Sequence, residues 1–117
     1  MSGDWARPVV HWEIEAIDAE RQRAFYRDLF SWDIGDGAIM TIPAGPGGPE
    51  PGPSGHLRQS DRSAVSLYVQ VRDIRASLAK AADLGGAVVA EPFDIPEGPT
   101  LAAITDPEGN SVMLVQQ

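Results

Sequence analysis

The chain has 117 residues, no cysteine, and a net charge of −8 from 17 acidic and nine basic residues. That length suits one small domain, residues 1–117, able to bury a core, and the absence of cysteine excludes disulfides, thiolate metal sites and cysteine nucleophiles. The acidic balance with scattered lysines and arginines excludes a nucleic-acid surface, no apolar run approaches the roughly 20 residues of a membrane span, and Met1–Pro8 shows no apolar signal-peptide core, so a cytoplasmic location is the expectation.

The first pattern is alternation. Val10, Trp12, Ile14 and Ala16 point one way and His11, Glu13 and Glu15 the other, which predicts a half-buried strand with a polar second face. Asp18 is placed to cap a helix, and Glu20 adds negative charge to its first turn. The helix is expected to reach about Phe30, with Ala24, Phe25 and Leu29 on its apolar side. Strands are expected over Trp32–Ile34 and Ala38–Ile42, and a short one from about His56. Between them lies PAGPGGPEPGPSG, residues 43–55, with five prolines and five glycines. That composition is neither helix nor central strand. A surface loop is the simpler expectation for it, and a lid over a binding site the functional one.

The second half follows the same plan. Leu67, Val69 and Val71 alternate with Ser66, Tyr68 and Gln70. Asp73 is placed to cap a helix whose apolar face is Ile74, Leu78, Ala81 and Ala82, and Gly85-Gly86 supply a C-terminal stop. Strands are expected over Ala87–Ala90, Thr100–Thr105 and Ser111–Val115, with a tight turn at Asp106–Asn110. At an offset of about 55 residues Trp12 falls on Leu67, Ile14 on Val69, Asp18 on Asp73 and Leu29 on Leu84, the mark of an internal duplication. The expected fold class is α+β: two tandem βαβββ modules, about 8–60 and 64–116, forming a curved mixed sheet cup with the helices outside.

These elements and the strings VVHWEIEAIDAERQRAFYRDLFSWDI, VQVRDIRASLAKAADLGGAVV and DIPEGPTLAAITDPEGNSVMLVQ resemble the vicinal oxygen chelate superfamily. That superfamily includes glyoxalase I, bleomycin-resistance proteins and extradiol dioxygenases. The resemblance implies a cup whose inward residues are His11, Glu13, Glu15, His56, Arg58, Ser66, Tyr68, Gln70, Met113 and Val115. It also implies, in many members, a divalent metal held by the first and last strands of each half. His11 stands where a first-strand ligand is expected. Ser66 stands where metal-binding members place a histidine, and Met113 where they place a glutamate. His56 is the nearest candidate for the last strand of the first half. Metal candidates therefore reduce to His11 and His56, with Glu13 a weak third because i and i+2 on a strand lie about 6.6 Å apart, whereas such an ion takes three or more converging groups.

Three readings follow. The depleted ligand set favours a small-molecule binding protein of the glyoxalase/bleomycin-resistance type without the full metal site. Its ligand would meet His11, Glu13, His56, Ser66, Tyr68 and Met113, and no cofactor is expected. The alternatives are a metal-dependent lyase, isomerase or dioxygenase with a reduced or displaced ligand set, and a non-catalytic partner module. No serine lies in a G-x-S-x-G motif, so no nucleophile stands out. The resemblance further implies a homodimer, for which Trp5 is a candidate anchor, although it can equally pack on its own domain.

Overall fold

Alternating side chains and two aspartate caps set the elements of an α+β fold. The computed structural model describes residues 5–45 and 51–116, and among them form seven strands and two helices. In chain order these are β1 (Val9–Ala16), α1 (Ala19–Phe30), β2 (Ile39–Ile42), β3 (Gly55–Gln59), β4 (Ala64–Gln70), α2 (Ile74–Asp83), β5 (Ala87–Asp94), β6 (Thr100–Thr105) and β7 (Ser111–Gln116). The chain divides into two compact units. One is His11–Ser66, and the other runs from Leu67 onward together with the N-terminal segment up to Val10.

In the first unit β1 pairs parallel with β3, and β3 pairs antiparallel with β2. Asp18 caps α1 as expected, its carboxylate accepting from the Arg21 amide at 3.1 Å. A second cap comes from the end of β3, where the Gln59 side-chain oxygen accepts from the Ala19 amide at 2.9 Å. Ile14, Ala16, Ala19, Ile34, Met40, Ile42 and Leu57 form the core. Each large aliphatic member contributes about 2 kcal/mol by leaving water.

Two expectations for this unit are corrected. Phe25 and Leu29 are exposed at 55% and 59%, and the inward side of α1 carries Ala19 and the partly buried Tyr26. The four apolar residues of this helix's last six spread around it, so periodicity alone could not select the buried stripe. Trp32–Ile34 is not a strand, which leaves this unit βαββ among the described residues. Ser31 takes the left-handed conformation (φ 60°) and ends α1. The following segment is held by its side chains: Trp32 packs against Trp12, Tyr26 and Phe30, and Arg23 Nε donates to the Ile34 carbonyl at 3.1 Å.

The second unit repeats the arrangement with one more strand. Its order is β4-β7-β6-β5, with β4 and β7 parallel and the other pairs antiparallel. Asp73 caps α2 through the Ala76 amide at 3.1 Å, and the Gln116 side-chain oxygen accepts from the Ile74 amide at 2.6 Å. The duplication thus extends to a glutamine that ties the last strand of each half to the first residue of its helix. Ile74 and Leu78 are buried with Val71, Ala102 and Leu114, while Ala82 is exposed. On the alternate face of the same strands Tyr68, Leu101 and Val115 form a second cluster, with Met113 against it. Leu67 is 47% exposed.

β5 is longer than predicted and carries register shifts around Ala90. Pro92 lies in it, consistent with a strand paired on one side only. The Asp106–Asn110 turn forms as read. The Asp106 carboxylate accepts from the Glu108 and Asn110 amides and the Asn110 side chain, each at 2.9 Å, and Gly109 takes φ 87°. The Asn110 hydrogen bonds hold the Asp106 carboxyl below the usual carboxylate range.

Candidate functional site

The parallel register of β1 and β3 sets Glu13 beside His56 and Glu15 beside Arg58. Because side chains alternate, His11, Glu13 and Glu15 share one face with His56 and Arg58. The result is a hydrogen-bonded polar row inside the first unit. Ser54 Oγ lies 3.3 Å from His11 Nδ1, and His11 Nε2 lies 2.8 Å from His56 Nδ1. His56 Nε2 lies 2.9 Å from Glu13 Oε2. Arg58 then bridges the two carboxylates, with Nε 2.6 Å from Glu13 and Nη2 2.8 Å from Glu15. Arg62 Nη2 at 2.6 Å and Ser60 Oγ at 3.1 Å complete the shell of Glu15.

The carboxylates of this row are enclosed. Glu13 and Glu15 are 5% and 3% exposed, a placement that carboxylates tolerate only when paired and hydrogen-bonded. Burial works against ionisation of Glu13, yet the hydrogen bonds from His56 and Arg58 together outweigh it and hold the carboxyl below its ordinary range. Burial lowers the pKa of His11, and the neighbouring His56 lowers it further, with Glu13 acting weakly in the other direction. Bonding to Glu15 raises the pKa of the exposed Arg62.

The tautomers follow from the partners. An ionised carboxylate only accepts, so His56 Nε2 donates to Glu13. With both rings neutral, His56 Nδ1 then accepts from His11 Nε2–H, and His11 Nδ1 accepts from the Ser54 hydroxyl. The donations run in one direction, from Ser54 through two imidazoles to Glu13.

Of the residues singled out from sequence, the structure joins His11, Glu13 and His56 in this row. Ser66 is 1% exposed and sealed from solvent. Tyr68 and Met113 are opposite one another in the β4–β7 register and belong to the apolar cluster of the second unit. The Glu13 carboxylate is held by His56 and Arg58. The guanidinium groups of Arg58 and Arg62 neutralise Glu13 and Glu15. Among the described residues no three His, Asp or Glu side chains converge so as to hold an ion.

Sequence reasoning missed Ser54, Ser60 and Arg62. A usable signal was the complementary alternation of His11-x-Glu13-x-Glu15 and His56-x-Arg58-x-Ser60, which matches once the strands are set parallel. Trp5 packs within its own unit, with the Arg7 and Arg72 guanidinium groups each 5.0 Å from its ring. Loop positions 46–50, part of the segment read as loop or lid, lie outside the described residues. Grooves of ≈ 390 Å³ beside the start of α1 and ≈ 450 Å³ beside Trp5 are lined by none of the residues of the polar row.

Paired strand–helix–strand halves, with a polar row on the first and last strands of one of them, define a glyoxalase-type α+β protein. A family model described as a glyoxalase-like domain matches residues 11–115, and the chain belongs to that family. A glyoxylase-like domain-containing protein of Didymella fabae is 30% identical over 109 residues, covering 85% of each chain. Among solved structures, a glyoxalase/bleomycin resistance protein/dioxygenase superfamily member from Vibrio splendidus 12B01 superposes with TM-score 0.66 at 16% identity, over 96% of this chain and 100% of that one. A methylmalonyl-CoA epimerase of Streptomyces coelicolor, in complex with 2-nitronate-propionyl-CoA, superposes with TM-score 0.62 at 16% identity over 94% of each chain. At such identity the likeness is one of fold.

Proposed function

We propose that this chain binds a small organic molecule without a metal ion, using the polar row of the first half as its hydrogen-bonding surface. The observation that carries the reading is the occupation of Glu13 and Glu15 by Arg58 and Arg62. A divalent ion takes carboxylate and imidazole donors with free lone pairs, and this donor set does not fit one. Glu13 lies on the far side of His56 from His11 and is held by a cation, and placing a dication beside Arg58 would set like charges together. The thioether of Met113 and the hydroxyl of Ser66, which stand at the other expected positions, are poor ligands for such an ion.

What remains is a surface suited to polar organic groups. His11 offers ring nitrogens whose roles can reverse with the proton inventory of the imidazole pair. The fold is shared with epimerases, yet one fold hosts many chemistries, so the reading rests on the residues. A cytoplasmic homodimer belongs to the same proposal and is checked by light scattering on the purified protein.

The test is a pair of titrations followed by NMR of the histidine ring protons. Zn²⁺, Mn²⁺ and Ni²⁺ are expected to produce no stoichiometric change at His11 and His56. A fragment library of polar aromatic compounds is expected to yield hits that shift those resonances equally with and without chelator. Saturable one-to-one metal binding that perturbs both rings would overturn the proposal in favour of a metal-dependent lyase, isomerase or dioxygenase.

A further inference from the structure

We propose that Ser54 is a nucleophile activated by the His11–His56–Glu13 relay, and that the chain carries acyl-transfer activity toward carboxylic esters. The proposal is separate from the metal-free binding reading and stands on the first unit alone.

The geometry has three parts. The first is the relay itself: Ser54 Oγ is 3.3 Å from His11 Nδ1, His11 Nε2 is 2.8 Å from His56 Nδ1, and His56 Nε2 is 2.9 Å from Glu13. A hydroxyl, a base and a group that orients the base are the components of an activated nucleophile, here with two imidazoles in series. The serine contact is looser than the others, as is common in unliganded sites.

The second part is how Ser54 is held. Trp12 Nε1 donates to the Pro53 carbonyl at 2.9 Å. On the other side, Gly55 runs under the Trp12 ring so closely that a Cβ there would lie 2.5 Å from it. One indole therefore fixes both neighbours of Ser54. Trp12 is paired with Gly55 in the β1–β3 register, so His11 and Ser54 fall one step earlier, side by side.

The third part is contrast in exposure. Ser54 is open to solvent, while the far end of the relay at Glu13 is buried. A substrate can reach the hydroxyl, and the charge generated by proton transfer settles where it is best compensated.

The reaction balances as follows. Ser54 Oγ attacks the ester carbonyl carbon, and its proton passes to His11 Nδ1. The proton on His11 Nε2 passes to His56 Nδ1, leaving an imidazolium on His56 against the Glu13 carboxylate. Collapse of the tetrahedral adduct breaks the bond to the alkoxide, which takes a proton back along the same path from His11 Nδ1 and leaves as the alcohol. Water then hydrolyses the acyl-serine to the carboxylic acid by the same proton steps. The depressed pKa of His11 keeps the base deprotonated below neutral pH.

The experiment uses the full chain and an alkyl fluorophosphonate, whose P–F bond is replaced by a P–O bond to serine with loss of fluoride. The expected result is one adduct per chain by intact mass, mapped to Ser54 by peptide sequencing, and none with Ser54→Ala. His11→Asn, with its circular dichroism spectrum checked against wild type, is expected to slow labelling by about 10²–10⁴-fold, the usual scale for removing a general base. The wild-type rate is expected to rise with pH through a pKa below 6.5, a profile absent in His11→Asn. Release of p-nitrophenol from p-nitrophenyl acetate is expected to follow the same order of variants. No adduct at Ser54, or equal labelling of wild type and a folded His11→Asn, would overturn the proposal.

Discussion

Replacing Arg58 by methionine tests whether the polar row is held together by charge compensation. Arg58 supplies hydrogen bonds of 2.6 Å to Glu13 and 2.8 Å to Glu15, whose side chains are 7% and 3% exposed. Removing one partner of a fully buried ion pair costs about 3–5 kcal/mol, because the other charge is stranded. Here Glu13 keeps its hydrogen bond from His56 and Glu15 keeps its ion pair with Arg62, and Arg58 is itself 38% exposed. The expected cost is therefore lower, about 2–3 kcal/mol. For a chain of this length one kcal/mol corresponds to about 4 °C, so Tm at pH 7 is expected to fall by roughly 8–12 °C. The pH dependence gives a second readout. In the wild type Glu13 titrates below its ordinary value of 4.5, so its contribution is full above that pH and lost as the pH falls through the folded pKa. Removing Arg58 takes away part of what lowers the folded pKa of Glu13, so that pKa rises and acid costs the variant less than it costs the wild type. The gap between variant and wild type is expected to be widest near pH 7 and to narrow toward pH 4, measured by calorimetry or circular dichroism melts. A variant within about 2 °C of wild type at pH 7, or a gap independent of pH, would refute the reasoning.

Gly55→Ala is expected to destabilise by about 1–3 kcal/mol, the usual cost of forcing extra volume into packed structure, because the new methyl would meet the Trp12 ring at 2.5 Å. Urea unfolding followed by tryptophan fluorescence measures it, and an unchanged midpoint would remove Trp12 as the clamp on this segment. Acid unfolding of the wild type is expected to begin in two stages. His11, depressed from 6.5, withdraws stability as the pH falls from 6.5 through its folded pKa, and Glu13 does the same from 4.5 downward. Urea midpoints at half-unit pH intervals show both, and His11→Asn is expected to abolish only the first.

Much of the backbone was legible because its signals are local. Asp18 and Asp73 read as caps and are caps, and the Asp106–Asn110 turn forms with the bonds its residues suggest. Strand β4 was found from period-two alternation. Helix α1 defeated the same approach because Phe25, Leu29 and Phe30 are apolar yet exposed. Trp32–Ile34 failed for another reason: aromatic packing, which leaves no periodic trace, holds it in place of strand pairing. At the site, His11 and Glu13 were visible as the polar face of a strand. His56 and Arg58 were named as inward, but their pairing with Glu13 and Glu15, and the partners Ser54, Ser60 and Arg62, were not visible, because a relay across two strands depends on register, and register is a long-range property. Once β1 and β3 are known to be parallel, the complementary charges of the two alternating tracts pair without further information.

The glutamines at the ends of β3 and β7 have a kinetic consequence. Gln59 reaches back 40 residues to the start of α1, and Gln116 reaches back 42 residues to the start of α2. The entropy lost on closing a chain segment grows only with the logarithm of its length, so these two closures differ by well under about 0.1 kcal/mol. Neither half has a head start from chain length alone. Which half assembles first is then decided by how readily its own segment bends and pairs. The first segment contains the proline- and glycine-rich stretch and, among the described residues, one strand fewer, whereas the second has strands β5 to β7 joined by short turns. Local antiparallel pairing of that kind forms quickly, which sets the second half as the earlier of the two to close its ring.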